Sequence, residues 1–153
     1  MRIVLQRVTQ ASVSVGGHEV ARIGRGLLLL VGIGRGDAED ELQFWSRKIP
    51  DLRVFHDDNG RMNRSLREVK GEILCVSQFT LYGDATRGRR PGFDQAAPGP
   101  LASALYERFV RLLREEDVPV RSGVFGARME VALVNDGPVT LILERVPAQL
   151  GHT

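Results

Sequence analysis

The first half of the chain is patterned mainly as β-strands. Valine and serine alternate over residues 12–15, Gly16-Gly17 supplies a turn, and residues 18–23 run back, which predicts a β-hairpin. Residues 27–33 are apolar at nearly every position, as in a central strand that is covered on both faces. A further buried strand is predicted at residues 72–79. These patterns indicate a sheet whose middle strands are buried.

Two other stretches repeat apolar residues every three or four positions, the spacing of an amphipathic helix. In the first, we expect Asp37 to cap the helix, Asp40 to lie near its N-terminus and Pro50 to end or kink it. The second is expected to end near Glu116. The apolar positions are Leu42, Trp45, Ile49 and Leu52 in the first helix and Leu101, Leu105, Phe109, Leu112 and Leu113 in the second.

The end of the chain predicts another hairpin. Residues 129–134 and 139–144 are typical of strands, and Gly137-Pro138 lies between them as a turn. Proline lacks an N–H and glycine lacks a Cβ, so this turn can present bare carbonyl groups. No internal repeat or linker divides the chain. We therefore expect one α/β domain over residues 1–145, a mixed β-sheet or partial barrel covered by two helices, followed by a tail at residues 146–153.

Composition narrows the class of protein. The 153 residues are 42% hydrophobic and 26% charged, as in an ordinary globular domain. The single cysteine, Cys75, has no partner for a disulfide or a cysteine metal site, and its apolar neighbours favour a buried thiol. The apolar run 27–31 is far too short to span a bilayer, and the opening residues lack the pattern of a secretory leader. We expect a cytoplasmic protein without a membrane partner.

Local charge is more informative than the net charge of +2. Arg87, Arg89 and Arg90 crowd a stretch within a Gly/Pro-rich loop that spans roughly residues 83–100. A loop of that length is usually functional or mobile. Arginine forks match phosphate oxygens, so the loop is a candidate phosphate contact, although arginines that are merely solvated fit the sequence equally well.

The usual catalytic constellations are absent from the sequence. There is no Gly-x-Ser-x-Gly nucleophile elbow, and His18, His56 and His152 are not spaced for zinc, so we predict no metal and no cofactor. Thr80 follows a predicted buried strand and is the one candidate nucleophile, yet no base lies beside it in sequence. Its hydroxyl can equally satisfy a turn, and its N–H, with that of Phe79, can face a developing oxyanion.

Two motifs carry a resemblance to a known family. They are Ser77-Gln78-Phe79-Thr80-Leu81-Tyr82 and Asn135-Asp136-Gly137-Pro138-Val139-Thr140, and together they resemble the D-aminoacyl-tRNA deacylases. The similarity runs from Met1 to about Glu144. It also includes Arg7 with Ala11-Ser12-Val13, Gly26-Leu27, Leu30-Val31-Gly32, Leu52-Arg53-Val54-Phe55, Asn63, Gly71-Glu72, Arg90-Pro91-Gly92-Phe93 and the run from Gly123 to Met129.

The resemblance implies a homodimeric hydrolase that cleaves the ester between a D-amino acid and the 3′ end of tRNA, with no role for DNA. It implies that the Gly137-Pro138 peptide is cis and enters the active site of the other subunit, and that the 2′-hydroxyl of the terminal ribose assists catalysis. The implied floor of the site is Ser77, Gln78, Phe79 and Thr80; Phe125 and Met129 line the site, and Arg7 holds the Gly-Pro segment.

Such a site would reject L substrates because their side chain meets the Gly137 and Pro138 carbonyls. Glycine has no side chain to be refused, so glycyl-tRNA is an expected substrate as well. Two alternatives stay open. One is a relative of the same fold that binds nucleic acid without catalysis, and the other is an esterase or peptidase that depends on Thr80 and needs no RNA.

Overall fold

The computed structural model describes residues 1–145. The expected tail at residues 146–153, with His152, lies outside the described residues. The elements in chain order are β1 (Arg2–Val15), β2 (His18–Ile23), β3 (Gly26–Gly32), α1 (Glu39–Lys48), β4 (Phe55–His56), β5 (Met62–Arg64), α2 (Leu66–Val69), β6 (Glu72–Ser77), α3 (Gly99–Arg114), β7 (Val120–Ser122) and β8 (Met129–Leu143). Short 3₁₀ turns follow α1 at Ile49–Asp51 and β6 at Phe79–Tyr82.

The main sheet is mixed, as predicted. Its strand order is β2-β1-β3-β6-β7, and β8 pairs with the other edge of β1. The strands β3, β6 and β7 are parallel, whereas β1 is antiparallel to β2, β3 and β8. The sheet curls until the end of β2 reaches β6, where the Gly24 N–H donates to a Glu72 carboxylate oxygen at 2.8 Å. The result is a single α/β domain with a nearly closed sheet.

The core has two parts, one on each face of β3. Leu27, Leu29 and Val31 pack against the helices, and Leu28 packs inside the curled sheet. Both faces are therefore dry, which explains why the sequence of β3 is continuously apolar. The prediction of a buried central strand is confirmed, and so is the hairpin of β1 and β2.

The predicted hairpin at Gly137-Pro138 is wrong. β8 is one continuous strand that passes through this peptide and pairs with β1 on both sides of it, with Val131 opposite Val13 and Leu141 opposite Leu5. The register shifts where the two residues are accommodated, between Gln6 and Gln10 of β1. A proline is tolerated in a strand at an edge or a bulge, and β8 is an edge strand here. The pair therefore interrupts the ladder without reversing the chain.

The first predicted helix is present, but its cap is not Asp37. Ala38 is the N-cap residue of α1 and makes no side-chain cap bond. The Asp37 carboxylate instead binds the Met1 ammonium and the Gly34 N–H, at 2.6 and 2.7 Å. Asp40 does lie in the first turn, and α1 ends at Lys48, just before the turn that contains Pro50.

Three further details differ from the sequence prediction. The described residues contain three α-helices instead of two, because the four-residue α2 shows no helical period in the sequence. Leu101 is 48% exposed and lies outside the buried stripe of α3. β6 ends at Ser77, two residues early, and gives way to the 3₁₀ turn. No helix among residues 1–145 is long and apolar enough to cross a membrane.

Candidate functional site

A cleft of about 530 Å³ opens at the carboxyl ends of the parallel strands β3, β6 and β7. Ligands of open α/β sheets commonly bind at this edge, because the loops that leave the strands converge there. The wall is mostly apolar, and its polar side chains are those of Ser77 and Gln78. It is lined by Ile33, Val76, Ser77, Gln78, Phe79, Ala97, Gly99, Ala102, Phe125, Gly126, Ala127, Met129 and Val131.

The floor of the cleft is built where β6 turns into the 3₁₀ turn. The Gln78 N–H still donates to the Val31 carbonyl of β3 at 2.7 Å, which ties the start of the turn to the sheet. The Leu81 N–H then donates to the Gln78 carbonyl at 3.2 Å. The first N–H groups of such a turn have no acceptor within it. Those of Phe79 and Thr80 therefore have no acceptor within the turn.

The side chains of this turn are arranged unequally. Phe79 is 55% exposed and packs edge-on against Phe93, with ring centroids 5.1 Å apart. Thr80 is exposed and does not line the cleft, and its hydroxyl oxygen accepts from the Gln78 side-chain amide. Among the residues that the structure describes around the cleft there is no aspartate, glutamate, histidine or lysine. A side-chain base for Thr80 is therefore not part of this cleft.

The opposite wall, residues 123–129, is held from behind by Tyr106 of α3. The Tyr106 hydroxyl donates to the Cys75 carbonyl at 3.0 Å and lies 2.6 Å from the Ser122 hydroxyl, while its ring packs on Phe125 with centroids 5.9 Å apart. The Gly123 N–H also donates to the Cys75 carbonyl, at 2.9 Å. This cluster fixes the Phe125 wall to the end of β6.

Burial dominates the protonation of this cluster. It raises the pKa of the Tyr106 hydroxyl well above its ordinary value and raises the pKa of the Cys75 thiol from 9.0 to about 12. Both groups stay neutral at physiological pH. Sequence reasoning missed Tyr106 and Ser122 as parts of the site, and the one available signal was a tyrosine within the buried stripe of α3.

The Gly137-Pro138 segment lies elsewhere. Its peptide bond is cis, and both residues are exposed. The buried Arg7 guanidinium donates to the Asp136 carbonyl at 3.1 Å and to the Val54 carbonyl at 2.7 Å. A Cβ on Gly137, whose φ is +128°, would lie 3.0 Å from the Arg7 guanidinium. Arg7 therefore holds the backbone on one side of this segment.

The two parts of the predicted site are far apart within one chain. Met129 in the cleft wall and Gly137 belong to the same extended strand, eight positions apart. At about 3.3 Å per residue, a fully extended strand of that length measures ~26 Å, which the register shift at Val134 and Asn135 shortens somewhat. The structure thus gathers Ser77, Gln78, Phe79, Phe125 and Met129 around one cleft, leaves Thr80 at its edge, and puts Arg7, Gly137 and Pro138 in a second place.

The chemistry available in the cleft is that of backbone donors and shape. Among residues 1–145, no three histidine, cysteine, aspartate or glutamate side chains come together as a metal site. Backbone N–H groups without an acceptor at the start of the floor turn suit an oxyanion, and the apolar walls suit a ring or a side chain.

The family model and the curated relatives agree on one family. The family described as D-Tyr-tRNA(Tyr) deacylase matches residues 4–144. A D-aminoacyl-tRNA deacylase of Chlorobaculum parvum is 59% identical over 145 residues, which cover 94% of this chain and 97% of the relative.

Two solved structures have the same fold. A c-Myc DNA Unwinding Element Binding Protein is 44% identical with a TM-score of 0.89, covering 95% of this chain and 99% of that one. A probable eukaryotic D-amino acid tRNA deacylase is 25% identical with a TM-score of 0.75, covering 93% and 97%. The matched sequence, the motifs at the cleft floor and the shared fold lead to one conclusion: this chain belongs to the D-aminoacyl-tRNA deacylases, a family of hydrolases.

Proposed function

We propose that this protein hydrolyses the ester of D-aminoacyl-tRNA in the cleft at the end of β6, as a homodimer in which each chain completes the site of the other. The observation that carries the proposal is the separation of the cleft from Gly137-Pro138 within one chain. The family resemblance assigns both to one site, whereas within one chain eight positions of β8, up to ~26 Å along the strand, lie between Met129 and Gly137, and neither Gly137 nor Pro138 lines the cleft. A second copy resolves the conflict by bringing its own Gly-Pro segment to the cleft.

The exposed edge of β8 supports a dimer. Among the described strands it pairs with β1 alone, and it exposes Val134, Leu141 and Ile142, the last at 76%. A long edge strand with exposed apolar side chains is a template for further pairing, which proteins normally cover. A second copy of this chain is a suitable cover, because a two-fold contact buries the same patch on both subunits.

The proposed chemistry places the ester carbonyl at the cleft floor. Water adds to the carbonyl carbon, and the N–H groups of Phe79 and Thr80 donate to the oxyanion that forms. The bond to the ribose 3′ oxygen then breaks, and that oxygen leaves with a proton, so the products are a free D-amino acid and tRNA. The neighbouring 2′-hydroxyl of the ribose assists the proton transfer, since the described cleft residues supply no base.

In this proposal, different walls of the site contact different parts of the substrate. Phe125 and Met129 contact the adenosine or the amino-acid side, and the carbonyls of the partner's Gly-Pro segment receive the substrate ammonium. An L side chain would collide with those carbonyls, whereas a D side chain points away and glycine has nothing to collide. Glycyl-tRNA is therefore a substrate, and L-aminoacyl-tRNA is not.

The decisive experiment tests complementation between two defective chains. Ala127→Trp fills the cleft from its half-buried wall, and Gly137→Ala forces a side chain into a backbone conformation that disfavours it, 3.0 Å from Arg7. Each homodimer is expected to be inactive on D-tyrosyl-tRNA. A mixed dimer, purified through two different affinity tags, carries one intact site and should show about half the wild-type rate. An inactive mixed dimer contradicts the shared site.

A second assay separates this mechanism from the alternatives. The wild-type protein should release D-tyrosine from many equivalents of D-tyrosyl-tRNA and leave the L-ester intact, and a substrate with a 2′-deoxy terminal ribose should react far more slowly. Binding without turnover would favour a non-catalytic nucleic-acid-binding role, which the name of one structural neighbour keeps open. Survival of glycyl-tRNA and L-alanyl-tRNA alike would mean that the D side chain is recognised directly.

A further inference from the structure

The loop between β6 and α3 presents three arginines without carboxylate partners. We define the arginine loop as residues 83–98, and its Arg87, Arg89 and Arg90 are all exposed. Within the part of the chain that the structure describes, none of the three takes part in an ion pair. Seven other arginines do, namely Arg2, Arg7, Arg22, Arg64, Arg67, Arg108 and Arg145. The tip of the loop is therefore a local concentration of uncompensated positive charge.

Hydrogen bonds order the base of the arginine loop, so the tip of the loop has a defined position. The Asp84 N–H donates to the Gly92 carbonyl at 2.8 Å, and the Gly92 N–H donates back to the Asp84 carbonyl at 2.9 Å. The Asp84 carboxylate accepts from the N–H and the hydroxyl of Thr86, at 2.9 and 2.6 Å. These bonds lower the pKa of Asp84 and occupy its charge within the loop base.

The loop base also forms the rim of the cleft. Phe93 packs edge-on against Phe79 of the cleft floor, 5.1 Å between centroids. Further along, the Ala97 N–H donates to the Ile33 carbonyl at 3.0 Å, and Ala97 itself lines the cleft. From Phe93 back to Arg89 the chain spans four residues, at most ~14 Å when fully extended. Arg89 and Arg90 therefore lie within about two nucleotides' length of the Phe93 ring that packs on the cleft floor, and Arg87 lies two residues further along the loop.

From this geometry we propose that the arginine loop binds the backbone phosphates that lead into the 3′ end of the tRNA. The proposal rests on the proposed function, which puts the terminal ribose at the cleft floor. The chain that continues from that ribose carries one negative charge per nucleotide, and guanidinium groups bind phosphate oxygens in a bidentate manner. The loop then supplies affinity for the RNA, while the cleft supplies the chemistry and the choice of enantiomer.

The test removes the three charges together in Arg87→Gln/Arg89→Gln/Arg90→Gln. Each phosphate contact on a single strand contributes about 0.7 to the slope of log affinity against log salt, so losing three lowers the slope by about 2. Over a fourfold rise in salt, the wild-type KM for D-tyrosyl-tRNA should therefore rise roughly 20-fold more than the KM of the variant. The kcat should be unchanged, because the loop tip does not touch the ester.

Two controls and a second substrate make the result specific. Arg47→Gln/Lys48→Gln/Arg61→Gln removes the same charge from exposed residues that neither line the cleft nor belong to the loop, and it should leave the salt slope as in the wild type. The triple Arg→Lys variant of the loop should keep most of the slope. D-tyrosyl-adenosine, which lacks the preceding phosphates, should be hydrolysed equally by the wild-type protein and the glutamine variant.

The binding of uncharged tRNA, followed by fluorescence anisotropy, gives a readout that does not need catalysis. A shallower salt slope for the glutamine variant supports the proposal even if the wild-type protein hydrolyses no D-ester, a result that would defeat the proposed function alone. Identical slopes for the wild-type protein and the glutamine variant overturn the proposal. So does an equal loss in the control variant outside the loop, since bulk charge would then explain the effect.

Discussion

Replacing Arg7 by methionine should both destabilise the protein and disable its Gly-Pro segment. The Arg7 side chain is 3% exposed and donates to two backbone carbonyls, those of Val54 and Asp136. Methionine fills a similar volume but donates nothing, so both carbonyls lose a charged donor. The Val54 carbonyl is then buried without a donor, which costs about 1–3 kcal/mol, and the part-buried Asp136 carbonyl loses a hydrogen bond from a charged group, about 1.5–3 kcal/mol, so the two together give about 2.5–6 kcal/mol.

The expected loss can be measured by thermal and urea denaturation. For a domain of this size, each kcal/mol shifts the Tm by roughly 2–4 °C, so a loss near the middle of that range lowers the Tm by roughly 8–16 °C. Below that temperature, hydrolysis of D-tyrosyl-tRNA should also fall, because the Asp136 carbonyl fixes the residue that precedes Gly137. The Tm and the activity of Arg7→Lys should lie between those of the wild type and of Arg7→Met, since the lysine ammonium keeps the charge but cannot donate to two carbonyls as the guanidinium does.

Arg22→Met is the matched control, because Arg22 pairs with Glu19 on the surface and lies in neither part of the site. Exposed ion pairs contribute little, so its Tm and activity should stay close to the wild type. The reasoning about Arg7 fails if Arg7→Met is no less stable than Arg22→Met. It also fails if the destabilised variant keeps full activity at low temperature.

Three further outcomes are expected. The Thr80→Ala variant should keep most of the activity on D-tyrosyl-tRNA, because the Thr80 hydroxyl is exposed outside the cleft and has no base beside it. A folded variant that binds substrate but is inactive would show that Thr80 is the nucleophile after all. Tyr106→Phe keeps the ring against Phe125 but loses the hydroxyl contacts with Cys75 and Ser122, so the free energy of unfolding should fall by about 1–3 kcal/mol. The KM for D-tyrosyl-tRNA should rise more than kcat falls, and an unchanged KM would show that the cluster does not position the cleft wall. Cys75 should resist alkylation by iodoacetamide in the native protein at pH 9 and react after denaturation; rapid alkylation of the native protein would contradict the buried thiol. Because burial raises the thiol pKa from 9.0 to about 12, the folded protein should lose stability as the pH rises from about 9 toward 12.

The sequence predicted those helices and strands whose own apolar pattern shows which residues are buried. β3 is apolar on both faces, and α1 and α3 repeat apolar residues at helical spacing, so each could be predicted from its own residues without knowing what packs against it. The short α2 did not, because four residues are too few for a period; its signal is the capping box of Ser65 and Glu68.

The path of β8 was beyond the sequence. A Gly-Pro pair between two apolar runs has the same local pattern whether the chain reverses or continues through a bulge. What decides is the pairing with β1, whose residues lie more than 110 positions earlier in the chain. The same limit hid Tyr106 and Ser122, which meet Cys75 only after α3 and β7 pack against β6. The floor residues 77–79 were easier, since the end of a buried strand is visible in the sequence.

The continuity of β8 restricts how this protein can change in length. One strand carries Met129 of the cleft wall at its start and Gly137-Pro138 near its end. Because successive side chains alternate between faces, inserting or deleting one residue between Met129 and Val134 would turn the side chains that follow it in this stretch to the opposite face and shift Gly137 by about 3.3 Å. Over Met129–Val134 the pairing with β1 is regular, so neither a loop nor a bulge in that stretch absorbs the change. Evolutionary insertions are therefore expected to be excluded from β8 and to accumulate at exposed turns, such as the Gly16-Gly17 turn, where neither glycine packs against another part of the chain.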